Sequence, residues 1–306
     1  MKHENNNGSI AEHLWKGDIS GIDHTIVKVN NIEASLPWYQ RVFGLVEVAR
    51  GPGRVYLASP VTSKIVLGLT EGGTGIEYIA YSVYNTGSLD RIAERLKAAS
   101  IPFTRGSSES RPGAIDAIRV KVPTGHTFEL LAAEPHENVL HAEYRPCAMD
   151  VRTSHMQVRS ENIEEMSQFM QHVGFYVSAY ALHPNGSGDH LLQFMRVNDR
   201  HHQLAILGGA AGIHHVAIEL NTDDFWKFCD HLAAIRTPAE YGPGRHNEGD
   251  MLFIYVRDPD GNRFEITGPM CVVSHDYGPT ELNDEPWFHM NHWGPQPPES
   301  WYKEWN

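Results

Sequence analysis

Gly212-Ile213-His214-His215-Val216-Ala217 and Gly75-Ile76-Glu77-Tyr78-Ile79-Ala80 are one stretch written twice in a single chain. Each is a short apolar, β-branched run behind a glycine, which predicts a strand. Each leads into a helical pattern, residues 89–98 in the first half and 225–233 in the second. A strand, a turn and a second strand containing Phe-Glu follow each helix. In the first half these are residues 117–122, Pro123-Thr124-Gly125 and Thr127-Phe128-Glu129-Leu130. In the second they are residues 251–256, Asp258-Pro259-Asp260-Gly261 and Arg263-Phe264-Glu265-Ile266. Proline presets one turn dihedral and glycine supplies a positive φ, so both turns have a physical cause.

The same plan precedes both stretches. Ile22-Asp23-His24-Thr25-Ile26-Val27-Lys28-Val29 predicts a strand. An amphipathic helix follows from about residue 34 through Trp38, Tyr39 and Phe43; Gly44 stops it, and a new strand starts at 45–48. Thr153-Ser154-His155-Met156-Gln157-Val158 repeats the pattern, with a helix at 163–172, a stop at Gly174 and a strand at 175–178. The expected fold class is α+β: four βαβββ repeats. They form two domains, each a cupped, mostly antiparallel sheet with outer helices. The expected boundaries are an N-terminal extension 1–17, a first pair of repeats 18–135, a linker near 134–151, a second pair 151–270 and a tail 271–306. A chain of 306 residues suits two domains of about 150 each. Each is long enough to bury its own core.

Composition narrows the function. A net charge of -13 argues against nucleic acid or an anionic membrane surface as partner. No apolar run approaches the ~20 residues of a membrane span. Residues 1–8 are polar and carry no signal-peptide pattern. Cys147, Cys229 and Cys271 are odd in number and unpaired in spacing, which predicts free thiols and a cytoplasmic protein. Histidine is the unusual component: 19 copies, with His201-His202 and His214-His215 adjacent in the second half. The tail is rich in proline and tryptophan (Trp287, Trp293, Trp301, Trp305), too aromatic for free disorder. It is expected to pack as a lid or an interface, and a homo-oligomer is expected.

In the second half, His155 falls on the first strand of one unit. His215 and Glu265 fall on the first and last strands of the next. If the units pair into a cup, two imidazoles and a carboxylate converge, the set that non-haem Fe(II) oxygenases use with open positions on the metal. The first half carries His24, Tyr78 and Glu129 at the equivalent places, so only the C-terminal set is complete. Spacing alone leaves open whether these are ligands or ordinary polar strand residues.

Further motifs decide between the two. Ser154-His155, His201-His202-Gln203-Leu204-Ala205, Gly212-Ile213-His214-His215, Gly242-Pro243-Gly244-Arg245-His246, Tyr255 and the run from Asp258 to Glu265 occur in this order. Through them the chain resembles the type I extradiol dioxygenases of the vicinal oxygen chelate superfamily, over roughly residues 18–270. The resemblance implies Fe(II), or Mn(II), held by His155, His215 and Glu265, with O2 as co-substrate. It implies a small aromatic diol that chelates the metal and is cleaved beside the diol. It also implies His202 as acid–base, and Tyr255 and His246 as donors to substrate oxygens. His201 and His214 are expected to face away from the site by strand alternation. Tyr241, Arg245, Asn247, Gln157 and Phe194 are the expected substrate contacts. Two rivals share the fold: a glyoxalase-like metal-dependent isomerase or transferase, and a non-catalytic small-molecule binding protein. Tyr241 stands where the homoprotocatechuate-cleaving branch has an arginine, and Lys303 is the only Lys or Arg after Arg263. A carboxylated ring would lack a cationic partner, so catechols with neutral substituents are expected.

Overall fold

The structure is a computed structural model and describes residues 17–134, 149–282 and 290–305. The expected linker and N-terminal extension, together with Cys147, Trp287 and His289, lie essentially outside these residues. The four repeats are all present. The first is β1 (Ile19–Val29), α1 (Ile32–Phe43), β2 (Val46–Gly51), β3 (Arg54–Ala58) and β4 (Ile65–Glu71). The second is β5 (Ile76–Val83), α2 (Thr86–Ala98), β6 (Phe103–Arg105), β7 (Ala114–Lys121) and β8 (Thr127–Ala133). The third is β9 (Arg152–Ser160), α3 (Ile163–Val173), β10 (Tyr176–Leu182), β11 (His190–Arg196) and β12 (Leu204–Gly208). The fourth is β13 (Gly212–Glu219), α4 (Thr222–Ala234), β14 (Tyr241–His246), β15 (Leu252–Arg257) and β16 (Arg263–Thr267).

One device starts all four helices. Asn31, Asn85, Asn162 and Asn221 each accept a hydrogen bond from the backbone N–H three residues on, satisfying an otherwise orphaned donor. Gly44, with φ 66°, ends α1 in the left-handed conformation. The asparagines are a repeat signal that the strand and helix pattern alone did not reveal.

The first two units form one sheet in the order β2-β3-β4-β1-β5-β8-β7-β6, and the last two form its counterpart, β10-β11-β12-β9-β13-β16-β15-β14. In each, the first strands of the two units pair antiparallel at the centre, β1 with β5 and β9 with β13. Each central strand also pairs parallel with the last strand of its own unit. The tail adds β17 (Thr280–Glu281) beside β10 and β18 (Asn291–Trp293) beside β14, then the short helix α5 (Glu299–Lys303). The second sheet therefore has ten strands and the first has eight.

The expectation of a separate core in each half is corrected. One apolar cluster joins the second and third units, including Leu89, Ile92, Met166 and Met170. Another joins the first and fourth, where Phe43 and Phe228 stack at 6.2 Å. The helices cover the convex side of each cup and meet across the boundary, so each cup's helix layer is completed by the other's. The turn at 258–261 latches the same boundary. Asp258 accepts from Tyr39 Oη, Asp260 from Asn30 and Ser35, and Asn262 Oδ1 from the Gly75 N–H at 2.7 Å.

Candidate metal centre

The central strands β9 and β13 and the neighbouring β16 bring His155, His215 and Glu265 together on the concave face. The register is direct: Gln157 pairs with His215, Ala217 with Glu265 and Tyr255 with Glu265. All three side chains are buried. His155 Nε2 lies 2.9 Å and His215 Nε2 3.1 Å from Glu265 Oε2, and the two nitrogens are 3.3 Å apart. Despite this closeness, neither carboxylate oxygen has a hydrogen-bond partner.

A fully buried carboxylate left that way is costly unless a cation completes it. The spacings fit such an ion. At metal–ligand bonds of about 2.0–2.2 Å, ligands at right angles stand about 3.0 Å apart, against about 3.4 Å for tetrahedral angles. The observed separations of 2.9, 3.1 and 3.3 Å span about this range, and all three residues border the cavity.

Electrostatics agree with an ionised carboxylate at Glu265 and a neutral imidazole at His215. Burial works against the charge on Glu265, but His155 and His215 outweigh it and hold its pKa well below the carboxylate range. Burial pushes the His215 pKa down to about 4, against the pull of Glu265. For His246 burial also disfavours the cation, yet contact with Glu265 Oε1 at 3.2 Å prevails and raises its pKa. Burial and the Glu265 charge raise Tyr255 well above the usual phenol, so its hydroxyl keeps its proton.

The cavity beside this cluster is lined by Leu191, Leu192, Phe194, Leu207, Met251 and Trp301 on its apolar walls. His202, Tyr255, His246, Asn247 and Gln157 also line it. Gln157, Phe194 and Asn247, three of the expected substrate contacts, are among these lining residues. Tyr241 and Arg245 are corrected: neither lines the cavity. Tyr241 stacks behind Tyr255 at 5.4 Å and hydrogen-bonds Asn291. Arg245 points outward to Asp250 Oδ1 at 2.8 Å, because the strand pleat that turns His246 inward turns its neighbour out.

Neither His201 nor His214 lines the cavity, but the strand alternation expected to turn them away is not the cause. His201 and His202 sit in the loop before β12, not on a strand, and their Nδ1 atoms are 2.9 Å apart. His214 is on β13, but pairing skips from Ile213 to His215. At this bulge its Nδ1 approaches His215 Nδ1 to 2.8 Å. Alternation does not hold across an unpaired residue.

Sequence reasoning missed several residues. Ser154 Oγ lies 3.2 Å from His155 Nδ1, and Glu248, Leu282 and Met290 line the cavity. The tail contributes Leu282, Met290 and Trp301 to the cavity wall. Only the aromatic content of the tail hinted at this.

Among the described residues no helix is long and apolar enough to cross a membrane. The chain is 26% identical over 270 residues to a metapyrocatechase of Pseudomonas sp. (strain CF600), covering 83% of this chain and 86% of that one. It is 28% identical over 290 residues to a manganese-dependent 2,3-dihydroxybiphenyl 1,2-dioxygenase of Geobacillus genomosp. 3, covering 87% and 91%. Its fold matches homoprotocatechuate 2,3-dioxygenase from Brevibacterium fuscum with a TM-score of 0.82 at 24% identity, over 95% of this chain and 93% of that one. The model of the Glyoxalase/Bleomycin resistance protein/Dioxygenase superfamily matches residues 21–130 and 152–266, one stretch for each cup, and the chain belongs to that superfamily.

Proposed function

We propose that the protein is a metal-dependent extradiol dioxygenase that opens the ring of a catechol bearing a neutral, apolar substituent. The observation that carries this reading is the buried Glu265 carboxylate. It lacks a hydrogen-bond partner and stands between His155 and His215 at the end of a cavity also lined by His202, Tyr255 and His246. An iron(II) ion held by His155, His215 and Glu265 would supply open positions for two vicinal oxygens and O2, and a route for electrons between ring and O2. Two neutral imidazoles and one carboxylate leave such a site with one net positive charge, suited to a diol that has lost a proton.

The chain's own groups divide the remaining work. Burial, with His155 close by, keeps His202 well below its usual pKa, so its ring is neutral and free to take a proton. Its Nδ1 is engaged by His201, which leaves Nε2 to accept a substrate proton and return it later. Tyr255 keeps its proton and donates to a substrate oxygen, and His246 Nε2, 3.3 Å from that hydroxyl, steadies it. The tail residues Leu282, Met290 and Trp301 add apolar wall to the cavity, which would limit the access of water to it. No Lys or Arg is among the cavity-lining residues, and Glu248 adds an acidic group. A ring-borne carboxylate would therefore meet apolar walls without a cationic partner.

The test is metal analysis of anaerobically purified protein, then O2 uptake with a panel of catechols after loading with iron(II) or manganese(II). Iron-dependent uptake with formation of a yellow ring-opened product is expected. Relatives are named for each metal, and activity restored by manganese alone would correct the metal while keeping the reaction. A loaded protein that consumes no O2 with any catechol would overturn the proposal in favour of an isomerase or binding role.

A further inference from the structure

His214 is next to a proposed ligand, buried, and not among the cavity-lining residues. Its Nε2 lies 2.6 Å from the backbone carbonyl oxygen of Trp301 in α5, and its Nδ1 lies 2.8 Å from His215 Nδ1. These two contacts determine where the protons are. A carbonyl oxygen only accepts, so His214 Nε2 carries the hydrogen. A neutral imidazole has one N–H, so His214 Nδ1 is an acceptor and His215 Nδ1 has to donate to it. His215 Nε2 is then left with its lone pair, directed into the cluster with His155 Nε2 and Glu265 Oε2.

The carbonyl at the start of this relay is held firmly. Arg263 Nη2 donates to Ser300 O at 3.0 Å, and its Nη1 to Glu304 O at 2.7 Å. Arg263 Nε donates to Glu240 Oε2 at 2.8 Å, and Ser300 Oγ donates to Glu240 Oε1 at 2.9 Å. The arginine stands two residues before Glu265 on β16, so the strand that presents the carboxylate also anchors the helix. Trp301 has two duties: its side chain walls the cavity and its carbonyl starts the relay.

We propose that His214 is a positioning residue: it transmits the acceptor at the Trp301 carbonyl to His215, so that docking of the tail helix sets the metal-binding tautomer of that ligand. This rests on the reading of His215 as a ligand. A partner that fixes the tautomer of a ligating histidine typically contributes about 10–100-fold in metal affinity.

Two measurements test it. The first is iron loss from the holoenzyme to a chelator, followed by the colour of the ferrous complex. His214→Phe, which removes donor and acceptor, should lose iron about 10–100-fold faster than the natural chain. His214→Gln, whose amide offers both, should fall much closer to the natural rate. Equal rates for His214→Phe and the natural chain would overturn the proposal, as would a Gln variant no better than Phe. The second uses the metal-free natural chain with 15N-labelled histidine, so it needs no variant to fold. His215 should carry its proton on Nδ1; a proton on Nε2 would refute the relay. A natural chain that never retains iron would instead refute the metal centre itself, and the tautomer measurement would still decide the relay.

Discussion

The two cups have the same register and opposite contents. Ile26 pairs with Tyr78 as Gln157 pairs with His215, and Glu129 pairs with Ala80 as Glu265 pairs with Ala217. His24, Tyr78 and Glu129 therefore occupy the backbone positions of His155, His215 and Glu265. The decisive difference is the strand beside the carboxylate. Arg119 pairs with Glu129 where Tyr255 pairs with Glu265. Its guanidinium lies 2.7 Å from Glu129 Oε2 and 4.8 Å from the centre of the Tyr78 ring. A cation tethered to the chain sits where the other cup has room for a free ion. Ile65, by register, stands in the place of His202 and is packed with Ile26, Tyr56 and Tyr78. In the N-terminal cup Glu129 Oε2 is met by Arg119 and Ser110, leaving only Oε1 without a partner. The C-terminal one keeps a carboxylate without a hydrogen-bond partner, next to a cavity.

Removing the two carboxylates separately is the strongest way to break this comparison. Glu265→Ala should abolish metal retention and activity with the fold largely kept. Glu129→Ala should leave metal content unchanged, yet lower stability by about 1–3 kcal/mol, because Arg119 loses its buried partner and keeps only its hydrogen bonds with Glu109. Metal analysis beside thermal melting of both variants reads the two effects. Equal metal loss would show that the cups are not functionally distinct.

The next contrast is between His202 and Ile65. His202→Phe should keep its metal but turn over about 10²–10⁴-fold more slowly. Ile65→Val should cost only about 0.5–1.5 kcal/mol of stability and leave turnover alone. Full activity in a metal-loaded His202→Phe enzyme would remove it from the chemistry.

A smaller effect concerns the cavity beside His155, His215 and Glu265. Neutral alkyl- or aryl-catechols should exceed homoprotocatechuate in kcat/KM by about tenfold or more, roughly 1.4 kcal/mol. Because the tail walls this cavity, Trp301→Ala should raise KM for the preferred catechol more than it lowers kcat. The reverse preference would mean that a cationic group reaches the substrate by some other route.

The smallest effect lies in the tail anchor, which has no N-terminal counterpart among the described residues. Burial opposes the charge on Glu240, but Arg263 and Arg257 prevail and lower its pKa to about 2. A depressed carboxylate stabilises the folded state above its unfolded value of about 4.3. That contribution fades as pH falls toward 2. In chelator-treated protein, Glu240→Gln should melt lower than the natural chain near neutral pH. The gap should narrow through pH 4 to 2 and close below. A gap that stayed constant down to pH 2 would contradict this role for the ion pair.

By itself the sequence determined the four repeats, the helix and strand order, and the identities of His155, His215 and Glu265. These are consequences of local periodicity, turn chemistry and internal duplication, and side-chain type is readable wherever a repeat aligns it with a copy. The tertiary structure alone decided that the two cores are shared, since helix faces do not declare which helix they will meet. It also decided that Arg245 faces out, because strand pairing sets which side of β14 meets the cavity, and that Tyr241 lies behind Tyr255, because the register shifts between Tyr241 and Gly244. The role of Arg119 and the path from Trp301 through His214 to His215 depend on atoms brought within 3 Å from distant parts of the chain. Such contacts are set by the register of paired strands and the docking of the tail, and no local pattern of residues carries that information.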